Sequence, residues 1–151
     1  MTNNKRNNSS LLQGSKILIV DDNIYNLKLV GRILDNQNYR IEFAKDGENG
    51  IRLAKRNLPD IILLDIMMPG MDGYEVCKKL KSDPATEDIP IIFLSAKNDN
   101  ESKIKGFECG GSDYIPKPFC GEELLARVSI HLKYKMSLSE FKNPDQVLKL
   151  I

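Results

Sequence analysis

With 151 residues, the chain is long enough for one domain with a sizeable core and short tails. Its 22 basic and 21 acidic residues leave a formal charge of +1, so charge gives no general push toward nucleic acid or a membrane surface. Three cysteines without a CxxC spacing, beside one histidine, argue against a zinc site and a disulfide framework, and fit buried thiols in a reducing cytosol.

The start of the chain, Met1 to Ser10, has no apolar signal-peptide core and reads as part of a flexible polar arm over residues 1–14. Lys16-Ile17-Leu18-Ile19-Val20 is a first strand, closed by Asp21-Asp22. Leu27, Val30, Ile33 and Leu34 share one face of a first helix. Tyr39 to Ala44 alternates apolar and polar residues, as an edge strand with one wetter face does. Asp46-Gly47 opens a second helix that carries Ile51 and Ala54. Ile61-Ile62-Leu63-Leu64 is the most apolar strand and ends on Asp65; the stretch to Met68 is too short to cross a bilayer. Pro69-Gly70 and Asp72-Gly73 then force a loop, and Asp72 can cap a third helix carrying Val76, Cys77 and Leu80.

Ile89 to Leu94 is a fourth strand, closed by Ser95-Ala96. A fourth helix is expected to turn Ile104 and Phe107 to the core and to stop at Gly110-Gly111. Asp113 to Pro116 is a short fifth strand, closed by Lys117-Pro118. Glu122 and Glu123 favour the start of a fifth helix, with Leu124, Leu125, Val128 and Leu132 at helical intervals. His131 lies late in that helix and reads as a surface residue. Residues 136–151 read as a helical extension or a linker toward a further domain. Strand–helix alternation of this kind argues for an α/β fold with a parallel sheet covered on both faces.

The strand ends hold the chemistry. Open α/β sheets place their ligands beyond the carboxyl ends of the strands. Asp21, Asp22 and Asp65 would converge there, and three adjacent carboxylates need a cation or protons to coexist. Mg2+, hard and oxygen-seeking, suits such a site. Ser95 adds a hydroxyl and Lys117 an ammonium. Together they form a set that handles a phosphoryl group by metal bridging and charge neutralisation.

These residues resemble the CheY-like receiver domain of two-component response regulators. The resemblance rests on Ile17 to Asp22, Leu58 to Gly73, Ile91 to Ala96 and Gly110 to Phe119, in order and at fitting separations. It spans roughly residues 15–133, within a receiver domain placed at 15–135. It implies a flavodoxin-like (βα)5 sandwich with a five-stranded parallel sheet in the order 2-1-3-4-5. It also implies Asp65 as phosphoacceptor from a sensor histidine kinase or phosphotransfer protein, with autodephosphorylation but no small-molecule turnover. Asp22, Asp65 and the Met67 backbone carbonyl would hold Mg2+, or Mn2+ in its place, with Asp21 reaching it through water. Ser95 matches the switch hydroxyl, Tyr114 the switch aromatic that moves inward, and Lys117 the phosphate-pairing lysine. Lys117-Pro118 matches a peptide bond that is usually cis in such domains.

Two other readings compete. A metal-dependent phosphohydrolase of the haloacid dehalogenase type also uses an Asp nucleophile, but expects a second Asp two residues on, where this chain has Met67. A nucleotide-binding flavodoxin-like domain expects a Gly-rich first turn, where this chain has Asp21-Asp22-Asn23. The receiver reading further implies a cytoplasmic setting and no direct contact with nucleic acid or membrane. Its output face, made of the fourth helix, fifth strand and fifth helix, would serve a homodimer or a following domain. Met67 and Lys97 sit where they would govern access of water to the phosphoryl group.

Overall fold

The computed structural model describes residues 12–35 and 37–141. Five strands form one parallel sheet in the order β2-β1-β3-β4-β5: β1 Lys16–Val20, β2 Arg40–Ala44, β3 Ile61–Asp65, β4 Ile91–Ser95 and β5 Asp113–Pro116. Five helices connect and cover them: α1 Ile24–Asp35, α2 Gly47–Asn57, α3 Gly73–Lys81, α4 Asn100–Glu108 and α5 Gly121–Phe141. The fold class and strand order match the expectation. Each strand is central or edge according to its pattern: β3 and β4 are buried at every residue, while β2 at the edge is wet along most of its length. β4 begins at Ile91 rather than Ile89, because Pro90 lacks an N–H for the ladder.

Alternate residues of the sheet feed two cores. Leu18, Val20, Ile62, Leu64, Ile91 and Phe93 pack with Ala54 of α2 and Val76 and Leu80 of α3. Ile17, Ile19, Ile61, Leu63, Ile92 and Leu94 pack with Leu27 and Leu34 of α1 and Leu124 and Val128 of α5. Of the expected polar arm, residues 12–14 are described: Leu12 is buried in the second core, and the Gly14 N–H donates to the Asn38 carbonyl. The rest of that arm and most of the expected 136–151 extension lie outside the described residues, although α5 itself continues to Phe141.

Three expectations need correction. Ile104 and Phe107 of α4 are 56% and 51% exposed, not inward. Gly106 faces the sheet instead: a Cβ there would lie 3.1 Å from the Phe93 ring and 3.3 Å from the Tyr114 ring. The close helix–sheet approach uses the residue with no side chain and turns its large neighbours out. Cys77 and Cys109 are buried thiols as expected, but Cys120 is exposed, because it lies in the loop between β5 and α5. His131 is half-buried rather than a free surface residue; its Nε2 lies 3.0 Å from Asp113 Oδ2.

Candidate functional site

Parallel strands all end at the same side of the sheet, so the polar residues that terminate β1, β3, β4 and β5 share one crevice. The central strands place Asp21 and Asp65 side by side: Val20 pairs with Leu64, one residue before each carboxylate. Ligand oxygens of Asp21, Asp22 and Asp65 all lie within 4.8 Å of one another. Lys117, just beyond β5, points its Nζ to 3.2 Å from Asp21 Oδ2 and 3.8 Å from Asp65 Oδ1. The Lys117–Pro118 peptide bond is cis, as the resemblance implies. Ser95 is fully buried at the tip of β4, and its Oγ accepts from the Lys97 N–H at 3.2 Å.

Helix capping is done by other residues, which leaves the acids available. An Asp after a strand most simply serves as an N-cap. Here Asn23 Oδ1 accepts from the Tyr25 N–H at 2.9 Å and the Asn26 N–H at 3.3 Å, and so caps α1. Asp72 caps α3, its side chain accepting from the Glu75 N–H. Asp21 Oδ1 accepts from the Asn23 N–H and Asp65 Oδ1 from the Ile66 N–H, each at 2.9 Å. Sequence reasoning missed the role of Asn23, although Asn directly before a helix was the available signal.

Three carboxylates share one ammonium, which leaves two negative charges over. Burial is the largest influence on Asp65 and pushes its carboxyl up to about 6; Asp21 and Asp22 push the same way, while Lys117 and the Ile66 N–H oppose. A proton or a divalent cation relieves that excess. The donor set is all hard oxygen, and the surplus charge equals that of a divalent ion, so these residues fit Mg2+.

Tyr114 is buried in this structure, and its hydroxyl donates to the Lys97 carbonyl. Met67 and Lys97 face a shared hollow of about 410 Å³ beside the crevice, together with Tyr74 and Lys105. At the far end of β5, Asp113 accepts from Arg127 Nη1 at 3.0 Å on both oxygens and contacts His131. Burial pushes the Asp113 carboxyl up, but His131, the Tyr114 N–H and Arg127 outweigh it and hold the group below the usual carboxylate range. No short-range sequence pattern announces that cluster, since its members are 14 and 18 residues apart.

Residues 17–129 match the response regulator receiver domain family. The chain belongs to that family. It is 42% identical over 131 residues to response regulator PleD of Caulobacter vibrioides, covering 87% of this chain and 29% of the relative. It is 43% identical over 133 residues to the DNA-binding dual master transcriptional regulator RpaA of Synechocystis, covering 88% of this chain and 55% of the relative. The chain thus spans about half or less of the length of these relatives. Among solved structures it resembles Vibrio cholerae CheY4, with TM-score 0.73, 31% identity, and coverage of 76% of this chain and 96% of the other. A Francisella response regulator receiver domain superposes with TM-score 0.75 at 33% identity, covering 80% of this chain and 98% of the other. The chain is therefore a signalling receiver of the two-component type, and the phosphohydrolase reading is not favoured. Among the described residues, no helix is long and apolar enough to cross a membrane.

Proposed function

We propose that Asp65 of this receiver accepts a phosphoryl group from a phosphohistidine on a sensor histidine kinase or a phosphotransfer protein. The observation that supports this reading is the convergence of Asp21, Asp22 and Asp65 within 4.8 Å, with Lys117 against Asp21 and Asp65. One Asp65 oxygen forms the new P–O bond as the P–N bond to the donor imidazole breaks. The imidazole keeps the bonding electron pair and takes up a proton. Asp22, Asp65 and the Met67 carbonyl, with Asp21 through water, would hold Mg2+ or Mn2+, which would supply charge screening between an anionic carboxylate and an anionic phosphoryl group.

The other groups act on the product. Lys117 exchanges carboxylate oxygens for a phosphoryl oxygen, and Ser95 donates its hydroxyl to another. That draws on the Ser95–Lys97 segment, which Tyr114 holds from below. Met67 and Lys97 set how water reaches phosphorus for the return to free Asp65. The output face is α4, β5 and α5, where Ile104, Phe107 and Tyr134 are exposed. It serves a phosphorylation-strengthened homodimer or a following domain. The receiver itself works in the cytoplasm without touching nucleic acid.

Incubation with acetyl phosphate and Mg2+, followed by reductive trapping and mass spectrometry, tests the phosphoacceptor. We expect one label per chain, on Asp65, lost in Asp65→Asn. Stoichiometric label that persists in Asp65→Asn refutes the assignment.

A further inference from the structure

Tyr74 is a large polar residue in the first turn of α3, only 5% exposed, and nothing in the site described above uses it. Its position is set by the end of β3. The Gly73 N–H donates to the Ile66 carbonyl at 2.9 Å. A Cβ at Gly73 would lie 2.3 Å from the Asp65 carbonyl oxygen and 2.8 Å from the Ile66 Cα. The backbone one residue before Tyr74 is thus pressed against the backbone of Asp65 itself, so the tyrosine is anchored to that strand end.

The side chain then reaches α4 in two ways. Its hydroxyl donates to the Ser102 carbonyl at 3.0 Å, in the first turn of α4. The Lys105 ammonium, one turn further along α4, sits 4.5 Å from the centre of its ring. Its ring also packs on Phe93 at 5.8 Å between centroids, and Phe93 packs on Tyr114 at 6.1 Å. Gly106 of α4 rests on Phe93 and Tyr114. The segment from Lys97 to Glu108 is therefore gripped from two sides. Tyr114 of β5 holds the Lys97 carbonyl, and Tyr74 of α3 holds the first turn of the helix.

We propose that Tyr74 is a positioning residue that ties the Asp65 end of β3 to α4 and forms a second route of coupling to the output face, parallel to Ser95 and Tyr114. This rests on the phosphoacceptor reading of Asp65. A shift of the β3–α3 loop on phosphorylation reaches α4 directly through Gly73 and Tyr74, without passing through Ser95. The hydroxyl fixes the height of the first turn of α4, and the ring with Lys105 fixes its rotation. Loss of either contact loosens α4 while β4 stays in place.

The test is amide hydrogen exchange over residues 97–109 in Tyr74→Phe, which keeps the ring and its packing on Phe93 but removes the donor. In the unmodified protein we expect exchange at Lys103 to Glu108 to rise about three- to tenfold, the range for one net hydrogen bond. Exchange in α1 should not change. Lys105→Met should loosen the same segment by a smaller factor. With Mg2+ and beryllofluoride, fluorine NMR should report the adduct at Asp65 equally in wild type and Tyr74→Phe, while the adduct-induced change in exchange at 97–109 falls to about half or less in the variant, the share expected if two routes of similar strength act in parallel. Unchanged exchange at Lys103 to Glu108 overturns the tether. An equal rise in α1 and α4 overturns it too, since that reports global stability alone. A full wild-type adduct response in Tyr74→Phe overturns the coupling. Absence of any adduct in wild type means the phosphoacceptor reading has failed and takes the coupling with it, while the tether is still judged on the unmodified protein.

Discussion

Replacing Asp65 by asparagine should make the metal-free protein more stable at neutral pH, by an amount that vanishes in acid. Asp65 is only 8% exposed, and burial beside Asp21 and Asp22 raises its carboxyl from an ordinary 3.8 to about 6. The folded state thus binds this proton more tightly than the unfolded state does. The stability this group contributes is fully present below an unfolded-state value near 3.8 and is lost as pH rises through about 6. A shift of that size corresponds to about 3 kcal/mol at pH 8. Asparagine carries no charge, so Asp65→Asn escapes the loss. It also keeps an oxygen for the Ile66 N–H and leaves Lys117 paired with Asp21. In urea with EDTA, the variant should exceed wild type by about 2–3 kcal/mol at pH 8 and by under about 0.5 kcal/mol near pH 4, with the gap opening between. In thermal melts at pH 8 that gap is roughly 4–12 °C. Mg2+ should then narrow it by stabilising wild type more than the variant. A gap that does not depend on pH, or a less stable variant at pH 8, refutes the electrostatic account of the crevice.

Three further outcomes follow from the same geometry. Asp22→Ala should weaken Mn2+ binding about tenfold or more in calorimetry, since it removes one of the three converging carboxylates; equal affinity in the two proteins removes Asp22 from the site. Lys117→Ala should still take up beryllofluoride but lose most of the wild-type NMR response at Tyr114 and in the loop after Ser95, because the ammonium acts mainly on the phosphorylated state; a full response rules Lys117 out as a coupling residue. Phe107→Glu, at a half-exposed site on α4, should leave thermal stability within about 1 kcal/mol but abolish any beryllofluoride-induced dimer in sedimentation; an undiminished dimer shows that another face carries it.

Much of this molecule is legible in its one-dimensional pattern, and the reason is that the deciding interactions are local or repeat along the chain. Five apolar runs alternating with helical faces specify a single parallel sheet covered by helices on both faces, because each strand and helix must bury its own apolar side against a neighbour. Asp21, Asp22, Asp65, Ser95 and Lys117 stand out because each ends a strand or follows its end within two residues, and strand ends in such a sheet converge whatever else the chain does. Asp46 and Asp72 announce their caps through the residue immediately following. Tertiary structure alone decided what depends on close approach between distant segments. The turn of α4 followed Gly106 against Phe93 rather than the apolar residues Ile104 and Phe107, since a helix rotates to where its backbone can come nearest the sheet. The half-buried His131 was settled by Asp113 on a strand 18 residues away. Nothing in the sequence marks Tyr74; only the fold sets its hydroxyl on Ser102, 28 residues further along, and its ring beneath Lys105. Apolar periodicity records which side of an element is buried in general; it holds no record of which neighbour a particular polar atom will meet there.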